Sequence, residues 1–192
     1  MVAIVSMLRG VNLGPHNRIK MQELCDLYES LKLRDVRSYI QSGNVLFRTE
    51  EKDLDALAIR LATGIERKFG FRPPVILRTS AELRRAIARN PFAKRREIEP
   101  SKLLVIFLDR DPGKESRKQV LKINTEPEEL RMEGREVYIY FPNGIARPKM
   151  KWAAIERALK TQWTGRNWNS VQKMLEMADG LEAAGADTRK RE

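Results

Sequence analysis

Two short segments hold residue types suited to ligand binding: Arg9-Gly10-Val11-Asn12-Leu13-Gly14 and Gln41-Ser42-Gly43-Asn44. Each combines glycine with guanidinium, amide or hydroxyl groups, a mixture that can hydrogen-bond an anion along an open backbone. The segments Pro142-Asn143-Gly144-Ile145-Ala146-Arg147-Pro148-Lys149 and Gly165-Arg166-Asn167-Trp168-Asn169 have the same character. Known catalytic patterns do not fit. Gly10-x-x-x-Gly14 is neither a dinucleotide fingerprint nor a P-loop, since no Gly-Lys-Ser/Thr follows. His16 is the sole histidine, so there is no second imidazole for a proton relay or a His-rich metal set, and it reads as a loop residue. Cys25 falls on the apolar stripe of a helix and reads as a small core residue, not a nucleophile. Ser42 lacks a nucleophile-elbow context, and no carboxylates are spaced as a glycosidase pair or a two-metal centre. No catalytic set can be named, and no metal or cofactor is implied. Enzyme activity stays open.

The elements that must position these segments follow from periodicity. Val2–Leu8 is a short apolar run and reads as a buried strand. Met21, Leu24, Cys25, Tyr28 and Leu31 repeat at helical spacing and predict a helix over about 20–32. Val36–Ile40 and Val45–Phe47 flank Ser42-Gly43, a compact hairpin signal. A second helix runs from Leu54 to Phe69 with Gly70 as its cap, and Pro73-Pro74 leads into a strand at Val75–Leu77. The order is β-α-β-β-α-β.

It then recurs. After a helix over Ala81–Ala88 and a basic loop to Pro100, Leu103–Leu108 is a strand and 113–122 a helix. Glu129–Met132 and Val137–Phe141 form a hairpin around Gly134, followed by a helix at Trp152–Leu159, a short strand at Gln162–Thr164 and a helix over about 169–178. The expected fold class is α+β: two tandem ferredoxin-like units in one compact protein, with a C-terminal helix. Their bounds are 1–79 and 102–178, joined by a connector at 80–101, with a disordered tail over 179–192.

Topology then locates a site. In such a unit the first strand ends at the same sheet edge as the hairpin joining strands two and three. Arg9, Gly10, Asn12, Gln41, Ser42 and Asn44 should therefore converge, beside the start of the first helix. The plain alternative is turn chemistry, because glycine, asparagine and serine are ordinary turn residues. Against it, the loop from Arg9 to about Lys20 exceeds the usual ~2–6 residues and carries Arg9, Asn12, His16, Asn17, Arg18 and Lys20. By a similar argument Arg147, Lys149, Arg166 and Asn167 form a second candidate cluster in the other half. Asn167 or Asn169 could equally cap the last helix. Tyr138 and Tyr140 share a strand face, as stacking residues in RNA-binding sheets do, but packing is the favoured reading.

Bulk properties bound the partners. With 42% apolar and 33% charged residues the chain is globular, not disordered. Its net charge of +11 attracts anions, but the surplus is +6 over residues 1–90 and +5 over 91–192. An even spread supports nucleic-acid binding only weakly. The single cysteine, the absence of a leader-like N-terminus and the lack of any ~18-residue apolar run point to a cytoplasmic protein with no membrane partner.

At Leu8-Arg9-Gly10-Val11-Asn12-Leu13-Gly14, Tyr39-Ile40-Gln41-Ser42-Gly43-Asn44-Val45 and Arg166-Asn167-Trp168-Asn169 the chain resembles a bacterial family, domain of unknown function 1697. The likeness runs from Met1 to about Ala178 and takes in Asn90-Pro91-Phe92 and Asn143-Gly144-Ile145. It implies two ferredoxin-like units and brings no activity. Arg147-Pro148-Lys149-Met150 departs from the family's usual Arg-Ser-Lys-Leu, so no serine role carries over. The leading expectation is a protein that binds an anionic, phosphate-bearing ligand, in a nucleotide or nucleic acid, at the first-half edge. The alternatives are an enzyme acting on a small anionic metabolite and a purely structural or interaction protein. Oligomeric state is not legible.

Overall fold

A computed structural model describes residues 1–189 as an α+β protein with two four-stranded antiparallel sheets and six α-helices among the described residues. The chain divides into two compact units, Met1–Arg84 with the residues from Lys173 on, and Arg85–Gln172.

The first unit is built on β1 (Val2–Leu8), β2 (Arg34–Tyr39), β3 (Asn44–Thr49) and β4 (Val75–Thr79), in the order β2-β3-β1-β4. One sheet face carries Ile4, Leu8, Val45 and Phe47. It packs on α1 (Met21–Ser30) and α2 (Leu54–Phe69) through Leu24, Tyr28, Leu57, Leu61 and Ile65. Burying a side chain of this size contributes about 1.5–3 kcal/mol. Tyr28 crosses Phe47 edge-on at 5.6 Å, and its buried hydroxyl shares a 2.8 Å hydrogen bond with Ser6 Oγ. Asp53 caps α2 by accepting from Ala56 N at 2.9 Å. After β4, Thr79 and Glu82 form a reciprocal capping box that starts α3 (Ser80–Ala88). The β2–β3 ladder breaks its register between Arg34 and Arg37, where Asp35 takes φ +54°.

The second unit repeats the order with β5 (Leu103–Leu108), α4 (Gly113–Leu121), β6 (Glu129–Glu133), β7 (Glu136–Tyr140), α5 (Trp152–Leu159) and β8 (Trp163–Asn167). Its sheet runs β6-β7-β5-β8, and Ile106, Leu108, Val137 and Ile139 pack against Val120, Ile155 and Leu159. Trp152 and Trp163 stack at 5.7 Å. The strand expected at Gln162–Thr164 is longer than its sequence suggests. It pairs with β5 through to Asn167, burying Thr164 and Arg166, polar residues that give no strand signal of their own.

The largest difference lies at the C-terminus. The helix expected to end near 178 continues as α6 (Trp168–Arg189) through most of the stretch expected to be disordered. Leu181 is buried there and Glu182 accepts from Ser80 Oγ and from Ala3 N. Gly185, within the expected tail, is where the helix passes close to Arg48: a Cβ there would lie 1.4 Å from Arg48 Nη1. The rest of the expected tail, 190–192, lies outside the described residues. Among the described residues no helix is long and apolar enough to cross a membrane.

Candidate functional site

At one edge of the first sheet β1 ends and the β2–β3 hairpin turns. Leu8 N donates to Gly43 O at 2.9 Å, and Asn12 Nδ2 donates to Gln41 O at 2.7 Å, joining the two. Arg9 N donates to Pro74 O at 3.0 Å, which adds the chain entering β4. Arg9, Gly10, Asn12, Gln41, Ser42 and Asn44 thus share one edge, as strand direction requires.

Their side chains divide into two groups. Asn12, at φ +56°, also donates to Ile19 O at 3.0 Å and accepts from Ile19 N at 2.8 Å. Both amide hydrogens are spent inside the protein. Asn44 is fully buried and donates to Tyr39 O and to Ser42 Oγ. These two amides do turn chemistry, the plainer of the readings open at the sequence. Gly10 and Gln41 are exposed, and Arg9 and Ser42 are half-buried.

The turn takes four residues: Tyr39 pairs with Asn44, so 40–43 make the connection, with positive φ at Ile40 and Gly43. Gly43 is required: a Cβ there would meet Val11 Cγ2 at 2.4 Å and Leu8 Cβ at 2.9 Å.

The stretches forming the edge, 9–20, 40–43 and 70–75, carry Arg9, Arg18, Lys20 and Arg72 and no carboxylate. Flanking acids lie just outside: Glu23 pairs with Lys20 at 3.4 Å, and Glu66 with Arg72 at 2.8 Å. Arg18 Nε donates to Gly14 O at 3.2 Å, and His16 is exposed beside it. Cys25 is buried in α1, and burial pushes its thiol above the ordinary range, partly opposed by a hydrogen bond with Ser38. That is the behaviour of a core residue.

Sequence reasoning missed two apolar members of this edge. Leu13 is 81% exposed, and Ile40 is 50% exposed while held at φ +51°. A β-branched residue rarely occupies that region, because its Cβ crowds the following carbonyl. The available signal was Ile40 itself, an isoleucine adjoining a turn.

Of the second cluster, the loop at Lys149 and the strand at Arg166 are anchored apart. Lys149 N and Met150 N donate to the two carboxylate oxygens of buried Glu128, each at 3.0 Å, which ties the loop beside the start of β6. Arg166 sits on β8, and β7 and β5 intervene, a separation of about 14 Å at ~4.8 Å per strand. Arg166 is buried and donates to Thr164 Oγ1 at 2.7 Å and Gly165 O at 2.8 Å, and burial pulls its guanidinium down to about 10. Asn167 Nδ2 donates to Ser101 O, and its Oδ1 accepts from Asn169 N, the capping role considered at the outset. Arg147 is exposed. Strand direction fixed the end of the sheet correctly, but not the flank to which the loop swings.

Tyr138 is buried with its hydroxyl donating to Ala86 O at 2.6 Å, while Tyr140 lies 6.3 Å from Phe92 and 5.2 Å beneath Arg95. Packing accounts for both. A groove of about 490 Å³ opens at the other edge of the first sheet, lined by Lys32, Arg34, Arg48, Glu51 and Arg60 among others. Its charges are largely matched, Arg48 with Asp35 and Arg60 with Glu51.

Among solved structures the chain is similar to a conserved bacterial protein, SP0830, from Streptococcus pneumoniae. The TM-score is 0.68 at 18% identity, covering 92% of this chain and 98% of that one, a likeness of fold. Comparison with curated proteins finds no match. The family described as protein of unknown function (DUF1697) matches residues 1–138, which include both segments of the first-unit edge, and the chain belongs to that family.

Proposed function

We propose that the protein binds a phosphate-bearing anion at the first-unit edge, through Arg9, Gly10, Gln41 and Ser42. Asn12 and Asn44 hold the loops beneath it. The observation that carries this reading is an internal comparison. The second unit makes the corresponding strand-to-helix junction, from Leu108 to Gly113, in four residues, whereas the first takes twelve, from Leu8 to Met21. The correspondence is set by matching backbone bonds: Leu8 N to Gly43 O and Leu108 N to Arg135 O, Arg9 N to Pro74 O and Asp109 N to Gln162 O. The short junction carries Asp109, Arg110 and Asp111; the long one carries Arg9, Arg18 and Lys20 with no carboxylate. The architecture needs neither the added length nor the added charge, and such surplus loops are where binding residues concentrate.

The reading extends to fold and setting. Each unit is ferredoxin-like, which the β-α-β-β-α-β order and the strand orders β2-β3-β1-β4 and β6-β7-β5-β8 support. The repeats are 1–79 and 102–178, joined by 80–101. A cytoplasmic setting is supported by the single buried thiol.

The test is a titration with inorganic phosphate at low salt, followed by backbone amide NMR. The Gly10, Gln41 and Ser42 amides should shift saturably, and Arg9→Ala should abolish the shift with its circular dichroism unchanged. Silence at these amides would refute the proposal. An Arg18→Ala variant provides a second check, since its exposed site tolerates truncation.

A further inference from the structure

Building on that anion-binding reading, we infer that the ligand is a nucleoside phosphate whose base lies on Leu13 and Ile40. Leu13 follows Asn12, and Ile40 precedes Gln41. The 2.7 Å bond from Asn12 Nδ2 to Gln41 O therefore holds the two apolar residues on the same edge, each next in the chain to a bonded partner. Neither contributes to the core, since they are 81% and 50% exposed. Ile40 is held in a left-handed conformation that glycine would adopt without strain, at φ +51°. Folding gives no reason for an isoleucine there; an apolar contact does. The loop that holds Leu13 also carries Arg9, Arg18 and Lys20, cations suited to phosphate, and Arg18 is bonded to Gly14, the residue after Leu13.

A membrane surface would also welcome apolar tips ringed by cations. The neighbouring backbone argues against it. Gly10 and Gly14 lie on either side of Leu13 with nothing within 4 Å of where a Cβ would be. The exposed Asn17 and Arg18 side chains that donate to the Gly10 and Gly14 carbonyls are costly to dehydrate in lipid, whereas the missing Cβ atoms leave room for a phosphate beside the backbone. A ligand with a compact anion and a flat apolar face satisfies both sets of groups. Nucleobases present such a face whatever their sequence.

The experiment is calorimetric titration of the full chain with inorganic phosphate, each of the common nucleoside monophosphates, a single-stranded oligonucleotide and phosphatidylglycerol vesicles. At least one monophosphate should bind tenfold or more tightly than inorganic phosphate. Leu13→Ser should erase that preference while leaving phosphate affinity unchanged, and Ile40→Gly should reduce it. An oligonucleotide much tighter than the monophosphates, with a steep salt dependence, identifies a nucleic-acid strand as the source; comparable affinities identify free nucleotide. Equal affinity for phosphate and monophosphates overturns this inference but spares the anion site. Binding to vesicles alone overturns it in favour of a membrane. No binding of phosphate or nucleotide overturns both readings.

Discussion

Asn12 and Gln41, 29 residues apart in the chain, meet through a 2.7 Å bond from Asn12 Nδ2 to the Gln41 carbonyl. The same side chain holds both the N–H and the C=O of Ile19. One amide therefore fixes the shape of the long loop and its position against the hairpin. Asn12→Ala should lose about 1–3 kcal/mol, from unsatisfied backbone groups and a strained φ. Urea denaturation measures the loss; Asn12→Gly, which removes the φ strain alone, should recover only part of it.

Ile40→Gly should move stability the other way, raising it by about 1 kcal/mol as the left-handed strain is relieved. Thermal and urea unfolding would register the gain. A loss of stability would mean that the isoleucine supports the fold.

Gly43→Ala combines a positive φ with a backbone wedged against Leu8 and Val11. It should cost about 2–4 kcal/mol, or prevent folding, because overpacking and strain act together. Denaturation midpoints or soluble yield would report it.

Glu128→Gln should cost about 1–2 kcal/mol, since its carboxylate accepts from Lys149 N and Met150 N. Arg147→Ala should leave stability and anion affinity unchanged. If that variant weakens phosphate binding, the second loop belongs to the site after all.

Cys25 has its pKa raised by burial, so the folded protein keeps the thiol proton where the unfolded chain has released it. Its contribution to stability is full below the unfolded thiol's pKa and is lost as pH rises through the folded one. Alkylation of this sole cysteine should be slow in the native protein at about pH 8 and fast in urea.

Much of this was legible in the residues. Apolar periodicity placed α2 and α5 at their observed bounds, because their buried stripes are written in Leu and Ile. Strand direction brought Arg9 and Gln41 to one edge. Three things lay beyond it. Thr164 and Arg166 are polar in a buried strand, so β8 showed too short. Gly185 accommodates a distant Arg48, a packing relation that looks locally like flexibility. The lateral path of the loop to Lys149 depends on a bond to Glu128, which no local pattern announces.

The register break in β2 has one more consequence. β2 is an edge strand, and an unbroken edge offers a row of unpaired amide and carbonyl groups on which another chain can build a fibril. With Asp35 turned left-handed, Arg34 before it and Arg37 two residues on, that row is interrupted near its start. The same irregularity that weakens the ladder guards the protein against recruiting copies of itself at high concentration.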